Sequence, residues 1–162
     1  MSTEQTALIN RARDIMESAD SAGTGLQRVC SYVQATIPGC DWVGFYIAIP
    51  GTRELALGPY AGEATEHLRI PFGRGICGQA AEAEHTIVVD NVSTESNYLA
   101  CSPNVRSEVV IPVFHEGELV GEFDIDSHTE AAFDQSKRGL LERITDELGS
   151  AVASLRPETE PT

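Results

Sequence analysis

No stretch of this sequence is long and apolar enough to form a bilayer-spanning helix, so a membrane protein of that kind is not expected. The N-terminus, MSTEQTALINRARDIMESAD, lacks the basic start and apolar block of a secretory signal, and the expected location is cytoplasmic. Basic residues are scarce: 11 Lys and Arg stand against 25 Asp and Glu, a formal net charge of -14. Such a surface repels phosphate backbones and anionic headgroups, so neither nucleic acid nor a membrane surface is expected as a partner. Internal repeats and low-complexity tracts are missing as well. The cysteines, Cys30, Cys40, Cys77 and Cys101, form no closely spaced pair. Zinc sites usually show such pairs, and structural disulfides are unusual in a cytosolic chain. No metal and no cofactor is therefore expected, and each thiol is either inert packing or a reactive group.

What is present suits a globular protein. The 162 residues are 41% hydrophobic and 22% charged, enough for one domain with a real core, read here as residues 1–155. RPETEPT offers nothing to bury, so 156–162 is expected to be a disordered tail. Leu8, Ala12, Ile15 and Ala19 recur at helical spacing, interrupted by Gly23 and Gly25. Leu26, Val29, Val33 and Ile37 then mark a second helix, stopped by Pro38-Gly39, with Cys30 in the core stripe. WVGFYIAI reads as a strand, followed by strands at 54–57 and 86–89 and a hairpin of 108–114 with 119–127. A last helix begins near Asp134 and presents Leu140, Leu141, Ile144, Leu148 and Val152 on one face. This order predicts an α+β domain: a mostly antiparallel central sheet with N- and C-terminal helices packed on one face. Residues 61–106, rich in glycine, cysteine and histidine, are expected to be loops that carry binding groups.

Gly73-Arg74-Gly75-Ile76-Cys77-Gly78 matches the dinucleotide fingerprint G-x-G-x-x-G. That motif needs a buried parallel strand before it, and HLRIPF contains a proline and no clean strand. A tight glycine turn opening a short helix is simpler. It puts Cys77 near a helix N-terminus, where a thiol's pKa falls, although a packed cysteine fits the pattern too. Cys101 sits in NYLACSPNVRSE, a polar loop in which Arg106 is near enough in sequence to stabilise a thiolate; local grounds leave reactivity and inertness about level. In Asp124-Ile125-Asp126, alternation puts both carboxylates on one strand face, with Phe123 and Ile125 on the other. A hairpin connection of three residues centred on Gly117 would set Glu108 opposite Asp126. Such a trio suits an ammonium group and could hold a proton for acid catalysis. The pattern alone favours a solvated polar face near a sheet edge. His67, Cys77 and Cys101 are too scattered in sequence to predict a soft-metal site.

Six stretches, DWVGFY, LALGPYAG, RIPFGRGICGQA, VVDNV, ACSPNVRSEVVIPV and GEFDIDS, occur in an order and spacing that resemble the free methionine-(R)-sulfoxide reductases, which are stand-alone GAF domains. The resemblance runs over residues 41–133. It implies a GAF-like fold with a loop-covered ligand pocket and thiol-dependent reduction of free L-methionine-(R)-S-oxide to methionine. By the same resemblance, Cys101 is the nucleophile that becomes a sulfenic acid, and Cys77 is its disulfide partner. Glu108, Asp124 and Asp126 hold the substrate's amino end, and Trp42 and Tyr46 are pocket aromatics. A thioredoxin-like dithiol as reductant and a homodimer are implied too. Two departures stand out: His67 occupies the place of a third, often resolving cysteine, and Ser102 stands where an aspartate often follows the nucleophile. The alternative is a non-catalytic GAF-type sensor of a small molecule. The short sequence after the last helix and a cysteine beside an acidic trio favour the enzyme.

Overall fold

Residues 1–99 and 103–157 are described by the computed structural model. Its strands are β1 (Trp42–Ala48), β2 (Glu54–Ala61), β3 (Arg69–Pro71), β4 (Ile87–Val89), β5 (Ser107–His115) and β6 (Glu118–Ser127). They form one sheet in the order β3-β2-β1-β6-β5-β4, with every neighbouring pair antiparallel. The helices are α1 (Thr3–Ser18), α2 (Ala22–Thr36), α3 (Gly75–Ala83), α4 (Gln135–Asp146) and α5 (Gly149–Ser154).

Strand alternation sorts side chains onto two faces. Val43, Phe45 and Ile47 of β1, Val109 and Ile111 of β5, and Phe123 and Ile125 of β6 share one core with α1, α2, α4 and α5. Phe45 stacks on Phe123 across the β1–β6 pair, ring centroids 4.6 Å apart. Trp42, Tyr46 and Val110 point the other way and pack with Ile76, Cys77, Ala80 and Ala81 of α3. Burying each large apolar side chain contributes about 1.5–3 kcal/mol, so both faces hold the sheet. The terminal helices on one face are as the periodicity predicts; the opposite face, under α3, is where the loops gather.

Several local features depart from the sequence reading. Gly23 and Gly25 do not interrupt a helix; they lie in the first turn of α2, where the Ser21 hydroxyl caps the Thr24 amide at 3.1 Å. Gly25 is there for close approach, because a Cβ would come within 2.9 Å of the Met16 sulfur. The last helix is two helices. The Glu147 and Leu148 amides bond the carbonyls of Ile144 and Thr145, three residues back, which tightens and ends α4. HLRIPF does contain a strand, β3, but it is short, lies at the sheet edge as its proline requires, and runs antiparallel to β2. Strand β2 also runs on to Ala61. Arg156 belongs to the packed domain rather than the tail: its Nε donates to the Ala48 carbonyl at 2.8 Å and its Nη1 lies 3.1 Å from Glu118. Residues 158–162 lie outside the described residues. Among the described residues no helix is long and apolar enough to cross a membrane.

The hairpin has a two-residue turn, Glu116-Gly117, both at positive φ, rather than a three-residue one. At the turn His115 pairs with Glu118; a bulge between Val113 and Phe114 then shifts the register by one. Beyond it Glu108 faces Asp126, so the expected pairing arises by a different route.

Candidate active site

The segment before α3 is a tight turn. The Gly73 amide donates to the Gly78 carbonyl at 2.8 Å, and Gly75 holds φ +65°. A side chain at Gly75 would be strained and would abut Leu99, 3.0 Å away. Asn97 clasps this turn: its side-chain oxygen accepts from the Gly75 amide and its nitrogen donates to the Gly73 carbonyl, both at 2.8 Å. Asn97 is not among the residues that sequence alone singles out; its only sign there is an amide in a polar loop. With β3 antiparallel to its neighbour, the strand that a dinucleotide site requires is absent from this turn. Cys77 is the third residue of α3 and is buried.

Under α3 lie the acids. Glu108 from β5 and Glu122, Asp124 and Asp126 from β6 are all buried, Asp124 completely. This corrects the solvated-face reading. Strand β6 lies between β1 and β5, in the sheet's interior, so its polar side is covered rather than wet. Glu122 was missed, although GEFDIDS places it two residues before Asp124 on the same face. Cys77 Sγ lies 4.0 Å from Glu108 Oε2. That sulfur, a Glu108 oxygen and an Asp124 oxygen all fall within 4.8 Å of one another. A cavity of about 10 Å³ separates them, lined also by Tyr46, His67, Arg74 and Leu99.

Of the two aromatics, Tyr46 lines this cavity and Trp42 does not. Tyr46 donates its hydroxyl proton to the His67 carbonyl at 2.9 Å. Trp42 pairs across strands with Asp126, stacks on Tyr60 and donates from its indole nitrogen to the Glu63 carbonyl at 2.8 Å. Tyr46, Cys77, Glu108 and Asp124 thus meet in one space, while Trp42 and Asp126 form the adjacent cross-strand pair. Arg106 is elsewhere: it is exposed and lines a separate surface cavity of about 550 Å³ with Asn91, Pro103 and His128. The arginine at the acid cavity is Arg74. Cys101 and Ser102 lie outside the described residues; Leu99, two residues before Cys101, lines the acid cavity.

Burial decides the electrostatics. It pushes the Glu122 carboxyl well above its ordinary range, and the neighbouring Asp124 charge adds to this. Asp124 is raised by the same burial, offset in part by Glu108, Cys77 and Asp126. Burial also pushes the Cys40 thiol up to about 12, and the Cys30 thiol is raised for the same reason, so both are poor nucleophiles. An acid raised on folding stabilises the fold below its ordinary pKa and loses that contribution as pH rises through the raised value. Thermal unfolding followed upward from about pH 5 is therefore expected to show falling stability, with a slope of up to about 1.4 kcal/mol per pH unit while Glu122 is ionised in the unfolded chain and still protonated in the folded one. Glu122→Gln should flatten that fall and be more stable than wild type at the alkaline end. A variant with the wild-type slope would show that Glu122 ionises freely.

Residues 21–153 match the GAF domain family. A free methionine-R-sulfoxide reductase from Escherichia coli (strain K12) is 28% identical over 144 residues, 88% of this chain and 86% of that protein. The X-ray structure of the free methionine-R-sulfoxide reductase from Neisseria meningitidis, in complex with its substrate, aligns with a TM-score of 0.84 at 29% identity, covering 95% of this chain and 94% of that one. The type II free methionine-R-sulfoxide reductase from Thermoplasma acidophilum aligns with a TM-score of 0.77 at 35% identity, covering 92% and 97%. The antiparallel sheet, its helix-packed face and this breadth of similarity lead to one conclusion: the chain belongs to the GAF domain family, in the group of the free methionine-R-sulfoxide reductases.

Proposed function

We propose that this protein reduces free L-methionine-(R)-S-oxide to methionine in the cytoplasm, with a thioredoxin-type dithiol as reductant. The observation that carries this reading is the closed space in which the Cys77 thiol meets the buried carboxylates of Glu108 and Asp124 beside Tyr46. Buried carboxylates need a cation, and the ammonium of a free amino acid supplies one. A methionine inside a polypeptide has no such group, so the substrate is the free amino acid. A cavity of about 10 Å³ holds roughly one water-sized occupant, so substrate entry displaces the cover at Leu99.

The Cys101 thiolate attacks the sulfoxide sulfur, and a protonated carboxyl of the acid cluster gives its proton to the oxygen. The sulfur–oxygen bond breaks as hydroxide leaves, and water then attacks the Cys101 sulfur, breaking its bond to the substrate's sulfur and giving up a proton to that hydroxide, to give methionine and a Cys101 sulfenic acid. The Cys77 thiol then attacks that sulfur, its proton joins the departing hydroxyl as water, and a disulfide forms, which the external dithiol reduces. Two thiols are oxidised to one disulfide as one sulfoxide is reduced to one thioether. With His67 in place of a further cysteine, Cys77 takes the resolving role.

Separated R and S isomers of free methionine sulfoxide, incubated with enzyme and dithiothreitol, test the reading. Consumption of the R isomer alone is expected. If folded protein consumes neither, the enzyme reading fails and the sensor reading takes its place.

A further inference from the structure

We propose that Cys77, Glu108 and Asp124 form a binding site for one thiophilic divalent cation of the Zn²⁺ and Cd²⁺ class. The three donor atoms lie within 4.8 Å of one another. A tetrahedral zinc ion, with bonds of about 2.3 Å to sulfur and about 2.0 Å to oxygen, sets its donors roughly 3.5 Å apart, so a modest inward closure completes the triangle. Sequence spacing hides this set, because Cys77 comes from α3 while the carboxylates come from β5 and β6.

Three observations call for a cation rather than an empty acidic cluster. Asp124 is fully buried; Glu108, Cys77 and Asp126 are near enough to interact with its carboxyl, but none gives either oxygen a donor in full bonding geometry. Glu122, on the same strand face, also lacks a donor in full bonding geometry, so carboxyl oxygens are concentrated out of water. The space between the donors is about 10 Å³, the size of one atom-like occupant. The thiol then selects among cations: sulfur favours zinc and cadmium, whereas magnesium and calcium prefer oxygen donors alone. The bound ion takes the place of the Cys77 thiol proton, which is released to solvent. It occupies the carboxylates assigned above to the substrate's ammonium; that overlap, unlike the site itself, rests on the reductase reading.

The test is titration of Cd²⁺ into reduced, metal-free protein, read by the ultraviolet charge-transfer band of cadmium–thiolate bonding, with no substrate present. A saturable band at one ion per chain is expected. EDTA should remove it, excess Mg²⁺ should not, Cys101→Ser should keep it and Cys77→Ser should lose it. Asp124→Asn should keep the thiol but need at least about tenfold more Cd²⁺ for half saturation. No band in wild type, a band surviving in folded Cys77→Ser, or one lost in Cys101→Ser would each overturn the site. Should Cys77→Ser fail to fold, unchanged affinity in Asp124→Asn overturns it. Because the readout needs no turnover, a protein inactive on sulfoxides can still show the band, and an active one can lack it.

Discussion

Cys101→Ser is expected to abolish catalytic reduction of the R isomer, lowering turnover by about a thousandfold or more, whereas Cys77→Ser should yield one equivalent of methionine per chain and then stall with thioredoxin. The difference follows from the order of the chemistry. Removing the nucleophile removes the first bond formed, and a serine hydroxyl at neutral pH offers almost no anion to replace a thiolate. Single nucleophile deletions commonly cost that much or more. Removing the resolving thiol leaves the first step intact and traps the sulfenic acid. Rapid quench with a stoichiometric amount of substrate separates the cases: no methionine for Cys101→Ser, a one-equivalent burst for Cys77→Ser. A full burst from Cys101→Ser would move the nucleophile to Cys77. Steady turnover of Cys77→Ser with thioredoxin would mean that another thiol resolves the intermediate.

Asp124→Asn is expected to raise KM for methionine sulfoxide by about tenfold to a hundredfold, with a smaller fall in kcat, and to raise the melting temperature. Asparagine keeps the shape and removes the charge. A hydrogen bond to a charged group contributes about 1.5–3 kcal/mol, and the ammonium would lose that. The free protein gains, because burial of Asp124 outweighs its interactions with Glu108, Cys77 and Asp126, none of which is a donor in full bonding geometry. Replacing such a group with a neutral one is often neutral or stabilising. A site kept ready for a cation is thus a local weakness in the free enzyme, the usual trade between activity and stability. Steady-state kinetics and thermal unfolding of the same preparation check both halves. An unchanged KM would remove Asp124 from the ammonium cage; a lower melting temperature would show that its charge is satisfied within the free protein.

Periodicity carried the main elements. The apolar stripes of α1, α2 and α4 and the aromatic run of β1 are local signals, and each lies where the pattern puts it. The alternation of Asp124 and Asp126 against Phe123 and Ile125 was equally plain. Burial of the acids was not, because it depends on β1 and β5 flanking β6, a pairing between residues some 80 apart such as Trp42 and Asp126. The break at Glu147 and Leu148 and the bulge at Val113 and Phe114 were illegible for a similar reason: each is a response to packing that no nearby residue announces. Glu122 could have been found, since the alternation that exposed Asp124 reaches it directly. Of the candidate site, residue types and strand faces were legible and the meeting of Cys77 with Glu108 and Asp124 was not; Cys101 rests on motif resemblance and lies outside the described residues.

The bulge before Phe114 has a consequence for folding itself. A strand slip of one residue turns every side chain to the opposite face. For β6 that would drive Glu122, Asp124 and Asp126 into the greasy layer under the terminal helices and leave Phe123 and Ile125 facing the acid cavity. The misregistered hairpin would thus bury three charges among hydrocarbon and could not be trapped for long. The acids proposed to grip the substrate also act as proofreaders during assembly, rejecting the one wrong pairing that a two-residue turn most readily invites.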